Sequence, residues 1–163
     1  MSSRFFPALL AAFMAAPMAA VAQSAAVAAT AAAPARAWTL REFQSLRWLE
    51  GRWRGQLPGG GFFYEERGFA DDSTLFTRTY SDSTFTTVSE RGETTFRGGV
   101  IASGGDRRRV SSLDASHVVF TTAGSSSMVR FDRRSNDHWT ATLSGTDREG
   151  RVRSVVYEMQ RLP

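Results

Sequence analysis

The chain of 163 residues contains no cysteine. Disulfides, thiolate nucleophiles and cysteine zinc sites are therefore excluded. It has no lysine either, because all 20 basic residues are arginine. Schiff-base chemistry and a phosphate loop built on lysine fall away with it. Only two histidines are present, too few for a three-histidine metal site within one chain. Alanine, by contrast, is concentrated near the start. Of the 22 alanines, 17 lie in residues 1–37, so the hydrophobic share of 42% overstates the content of any packed core.

That alanine-rich start reads as an address. Arg4 supplies a positive n-region, Phe5–Met18 is an apolar run broken by Pro7 and Pro17, and Ala20-Val21-Ala22 is a small-x-small cleavage site. The expectation is a signal peptide over residues 1–22 and a periplasmic or secreted protein. Residues 23–37 (QSAAVAATAAAPARA) carry no large apolar side chain and are expected to form a disordered tether. The folded domain is then residues 38–163. Without disulfides in an oxidising compartment, its stability must come from packing. It retains 18 Arg against 16 Asp plus Glu, a formal charge of +2. Export and this small excess argue against nucleic acid. Arg107-Arg108-Arg109 and Arg133-Arg134 sit among turn residues, where weak contact with an anionic membrane surface is the sharper alternative to a solvated turn. A monomer is expected.

Hydrophobic period divides the domain. Leu40, Phe43, Leu46 and Leu49 recur at helical spacing, and Thr39 precedes Glu42 by a capping-box interval. Gly51 follows as a helix stop. From there the period becomes two. Runs rich in Phe, Val, Thr and Tyr occupy Gly51–Leu57, Phe62–Ala70, Thr74–Ser81, Thr84–Glu90, Glu93–Ser103, Arg107–Asp114, His117–Ala123, Ser127–Arg133, His138–Gly145 and Arg151–Leu162. Ten strands joined by short links must be antiparallel neighbours, and closing the meander removes both of its unpaired edges. About eight strands already fill a barrel with side chains, so ten are expected to leave a cavity. The fold class is all-β: a ten-stranded antiparallel up-and-down β-barrel with one short N-terminal helix.

The string Trp48-Leu49-Glu50-Gly51-Arg52-Trp53-Arg54-Gly55 resembles the helix-then-Gly-x-Trp pattern of the calycin superfamily, closest to lipocalin-like and nitrobindin-like domains of unknown function in bacterial secreted proteins. The resemblance covers about Phe43–Leu162. It implies a barrel closed at one end by Trp53 stacked under Arg161 of the last strand. Fatty-acid-binding relatives hold a carboxylate with an Arg-x-Tyr pair on that strand; Tyr157 matches, but Val155 stands where the arginine would be. Nitrobindins bind haem through a late-strand histidine. His138 and His117 are the candidates, and the surrounding sequence does not reproduce the haem-ligating stretch, so no cofactor is expected.

One cross-strand face looks like a ligand wall. A turn centred on Asp72 sets Glu66 opposite Arg78, Tyr64 opposite Tyr80 and Gly68 opposite Phe76. Aromatic bodies with a few placed polar groups suit a small molecule, so this face is expected to point inward with Glu66 and Arg78 paired. A slip of one residue would turn Glu65 and Arg67 inward instead. Phe96, Phe120, Phe131, Trp139 and Tyr157 are further wall candidates. No catalytic set stands out: Ser111-Ser112 and Ser125–Ser127 lie at turns without a nucleophile elbow, and adjacent carboxylates on a strand point to opposite faces. The expected function is binding of a small apolar or amphipathic ligand in the barrel. The alternatives are an isomerase- or lyase-type enzyme using Glu66 and Arg78, and a ligand-free envelope interaction module.

Overall fold

Thr39 opens the first helix with a capping box. Its hydroxyl accepts the Glu42 N–H at 3.2 Å, and the Glu42 carboxylate accepts the Thr39 N–H at 2.8 Å. The computed structural model describes residues 36–163; the expected signal peptide and nearly all of the tether lie outside the described residues. Helix α1 (Leu40–Gln44) passes directly into a 3-10 segment, Ser45–Leu49. Both bury one face through Phe43, Leu46, Trp48 and Leu49.

Ten strands follow: β1 (Gly51–Gln56), β2 (Phe62–Asp71), β3 (Thr74–Tyr80), β4 (Val88–Arg97), β5 (Val100–Ser103), β6 (Arg108–Leu113), β7 (His117–Thr122), β8 (Met128–Arg133), β9 (His138–Thr146) and β10 (Val152–Arg161). Each pairs antiparallel with its sequence neighbours, and β1 pairs with β10 to close the barrel. The domain is thus a closed, ten-stranded, up-and-down barrel with one short helical segment.

Strand number is as expected, but two boundaries differ. Residues Thr84–Thr87 belong to a loop, and β4 runs straight through Arg91-Gly92. The turn lies instead at Gly98-Gly99, where φ values of 54° and 82° give the left-handed pair that a two-residue hairpin needs. Gly92 has an ordinary strand position opposite Thr77.

Alternation fixes the inner face. Trp53, Leu75, Phe120, Trp139 and Met159 are buried and point inward, whereas Arg52 and Arg54 point out. One end is stoppered by the helical segment. Phe43 packs edge-on to Phe69 (5.3 Å between centroids) and stacks on Phe96 (6.2 Å). The opposite end is open to water: along the inward face of β10, exposure climbs from 1% at Met159 through 7% at Tyr157 to 36% at Val155.

Candidate functional site

Trp53 anchors the stoppered end. Its indole N–H donates to the Leu49 carbonyl at 2.8 Å, and the Arg161 guanidinium lies 4.2 Å over its ring. Arg161 also donates from Nη1 to the Glu50 carbonyl at 2.7 Å and from Nε to the Asn136 carbonyl at 3.0 Å. The first of these bonds ties the last strand to the end of the helical segment, and the second ties it to the turn between β8 and β9. Gly51 must be glycine there: its φ is +125°, and a Cβ would stand 2.2 Å from Arg161 Nη1.

Across the first hairpin, Trp53 is the register partner of Glu65 and Gly51 that of Arg67. Partners share a face, so Glu65 and Arg67 point into the barrel. They form an ion pair of 2.8 Å, with side-chain exposures of 14% and 9%. The Arg67 guanidinium lies 4.8 Å from both the Phe131 and the Trp139 rings. Phe131 packs on Trp139 at 5.1 Å and on Phe120 at 5.8 Å, and Phe63 meets Tyr157 edge-on at 5.6 Å. Burial pushes the Tyr157 phenol above its ordinary pKa, so it stands as a neutral hydroxyl. The inward face there is therefore aromatic, with one charged pair among the rings.

The expected register of β2 and β3 is observed: Glu66 faces Arg78, Tyr64 faces Tyr80, and Gly68 faces Phe76. The face is the other one. Because Trp53 commits the odd-numbered residues of β2 to the interior, Tyr64, Glu66, Phe76, Arg78 and Tyr80 lie on the outer wall. Glu66 accepts from the Tyr80 hydroxyl at 3.0 Å and from Arg78 Nη1 at 3.3 Å, and Arg52 Nε stands 3.5 Å away. The loop after β3 folds over this group. Phe85, at a φ of +56°, contacts Tyr80 at 4.9 Å and Tyr64 at 6.0 Å, and Arg52 caps its ring at 4.8 Å. This explains why Tyr80 is buried on an outward face. Beside it, a cleft of about 460 Å³ is lined by Ala70, Phe76, Thr77, Arg78, Arg91, Gly92 and Glu93. The dry interior pocket expected around Glu66 and Arg78 is not formed.

The remaining wall candidates, Phe96, Phe120, Phe131, Trp139 and Tyr157, all face inward. Phe96 sits against the helical stopper, while Phe131 and Tyr157 pack among the inward-facing aromatic rings. His138 lies outside, with Nε2 2.6 Å from Glu158. Glu65 and Arg67 entered the sequence reading only as the slipped alternative. Pairing β1 with β2 across Pro58–Gly61 would have identified them, because that hairpin sets Glu65 beside Trp53.

No family model matches the sequence, and no curated protein matches it. Solved structures do. The chain is similar to a protein of unknown function from the DUF3598 family of Nostoc punctiforme, with a TM-score of 0.50 and 12% identity over 72% of this chain. It spans about half (49%) of that structure's length. A redesigned β-barrel also matches, at a TM-score of 0.33 and 12% identity, over 73% of this chain and 96% of the other. The first likeness, at 12% identity, speaks to the barrel fold alone.

Proposed function

We propose that this chain is an exported barrel that holds one small, largely apolar molecule in the open half of its interior, with a polar end turned toward Arg67. The observation that carries this reading is the Glu65–Arg67 pair, almost fully screened from water among aromatic rings. A buried ion pair adds little net stability, and an apolar pair of similar volume serves a core at least as well. Its presence fits a wall that must meet a polar group. Glu65 takes the Nε and Nη2 donors of Arg67. Nη1 is left to serve a ligand's carboxylate, carbonyl or hydroxyl. Phe63, Phe131 and Tyr157 supply the apolar wall. Export rests on the sequence of residues 1–22.

The test is native mass spectrometry of protein purified from its own host, followed by displacement of a bound anilinonaphthalenesulfonate dye by medium-chain carboxylic acids. A retained small molecule, and displacement that Arg67→Met weakens about tenfold or more, is the expected result, given the worth of a charged hydrogen bond. Bare protein with no dye bound overturns the reading.

A further inference from the structure

A second polar constellation lies on the outer wall, at the hairpin between β6 and β7. The Ser112 hydroxyl is 2.8 Å from His117 Nε2. On the other side of the ring, His117 Nδ1 is 2.9 Å from Asp114 Oδ2. The other carboxylate oxygen of Asp114 accepts the backbone N–H groups of Ser116 and His117, at 2.7 and 2.9 Å, and the Ser116 hydroxyl at 2.8 Å. These bonds fix the carboxylate and hold its pKa below the ordinary aspartate range, the Ser116 N–H foremost. An anionic Asp114 keeps the proton of His117 on Nδ1, which leaves Nε2 as the acceptor for Ser112.

The backbone is shaped to make this contact. Val110 points inward, and simple alternation would send Ser112 inward too. A β-bulge intervenes between Val110 and Ser112, so that Leu113 rather than Ser112 pairs with inward-facing Val118. The bulge re-aims Ser112 onto the face that carries His117. From β8, Asp132 stands opposite His117 in register, with its charge matched by Arg130 at 2.6 Å; Arg134 also acts on Asp132. His117 keeps 19% of its side chain exposed, so the group is reachable from solvent.

We infer that Ser112, His117 and Asp114 form a nucleophilic relay that accepts acyl groups from small, uncharged carboxylic esters on the convex surface of the barrel. Ser112 Oγ attacks the ester carbonyl carbon while His117 Nε2 takes its proton. The C–O bond to the alcohol breaks, and His117 returns the proton to the departing oxygen. Water then attacks the acyl-serine, giving up a proton to His117, and Ser112 leaves with it; the products are one acid and one alcohol. Asp114 is a positioning residue. The site is separate from the barrel interior, and its failure leaves the proposed ligand reading as it stands.

The experiment uses the whole chain and a fluorophosphonate probe, which forms a bond to serine oxygen and releases fluoride. Peptide mass spectrometry is expected to locate the label on Ser112, to find none there in Ser112→Ala, and to show labelling about 100-fold slower in His117→Ala, in line with general-base assistance. The wild-type labelling rate is expected to depend on pH, and Asp114→Asn is expected to displace that profile while circular dichroism stays unchanged. No label on folded wild-type protein, a label elsewhere, or a rate indifferent to pH overturns the inference.

Discussion

Glu65 and Arg67 stand two positions apart on one strand and clasp each other inside the barrel, while Glu66 between them looks outward to Arg78. Neighbouring charges on one strand thus serve two opposite surfaces. Removing one member of the inner pair strands the other. Arg67→Ala is expected to destabilise the fold by about 3–5 kcal/mol. The replacement of both Glu65 and Arg67 by Met should recover most of that loss. Urea unfolding of the two variants checks both statements; equal losses in the single and the double variant would contradict them.

Arg161 over Trp53 combines a cation–aromatic contact with hydrogen bonds to two backbone carbonyls. The first contributes about 0.5–2 kcal/mol, and bonds from a charged donor about 1.5–3 kcal/mol. Arg161→Ala is therefore expected to cost about 2–4 kcal/mol, with the Trp53 fluorescence shifted in the native state. A loss under about 1 kcal/mol would show that the stack is ornamental.

Gly51→Ala attacks the same junction from the backbone side. The new methyl group collides with the guanidinium, and the backbone sits where side chains are rarely tolerated. A cost of about 1–3 kcal/mol is expected from the strain alone. Thermal unfolding should show Gly51→Ala and Arg161→Ala to be less than additive, because both loosen one contact.

Thr39→Ala removes the hydroxyl that receives the Glu42 N–H. A capping loss of about 1 kcal/mol is expected, read as a lower midpoint in urea with the slope unchanged.

Asp132 is held below the ordinary aspartate range, chiefly by hydrogen bonds from Arg130. A carboxyl depressed in the folded state adds stability above its unfolded pKa and surrenders it as the pH falls through the folded value. Its contribution is therefore complete at neutral pH and disappears in acid, below an ordinary aspartate value of about 3.9. Asp132→Asn should flatten the acid limb of a stability-against-pH curve and leave the slope above pH 6, roughly the top of the carboxylate range, unchanged.

Period and turn chemistry made most of this architecture legible. Apolar spacing from Leu40 to Leu49 marked the helical stopper, and alternation with short turns gave ten strands. The Asp72 turn gave the register that sets Glu66 against Arg78. What misled was composition. Tyr64, Tyr80 and Phe76 look like an interior wall, yet burial here comes partly from a loop: Phe85 covers the outer tyrosines, an interaction no strand pattern records. Gly98-Gly99 was hidden inside an apparently continuous run because Gly92 offered an equally plausible break. Only the positive φ pair distinguishes a turn from a strand glycine. Ser112 was unreadable for a related reason. A bulge shifts alternation by one residue, and nothing in Val110-Ser111-Ser112 announces it.

The helical stopper closes one end of the barrel. Phe43, wedged between Phe69 and Phe96, bars any through-route. On the proposed reading, a molecule held inside must back out along the path by which it came. Uptake and release then share one threshold at the rim, and substitutions around Val155 and Phe63 should alter both rates together while leaving their ratio nearly constant.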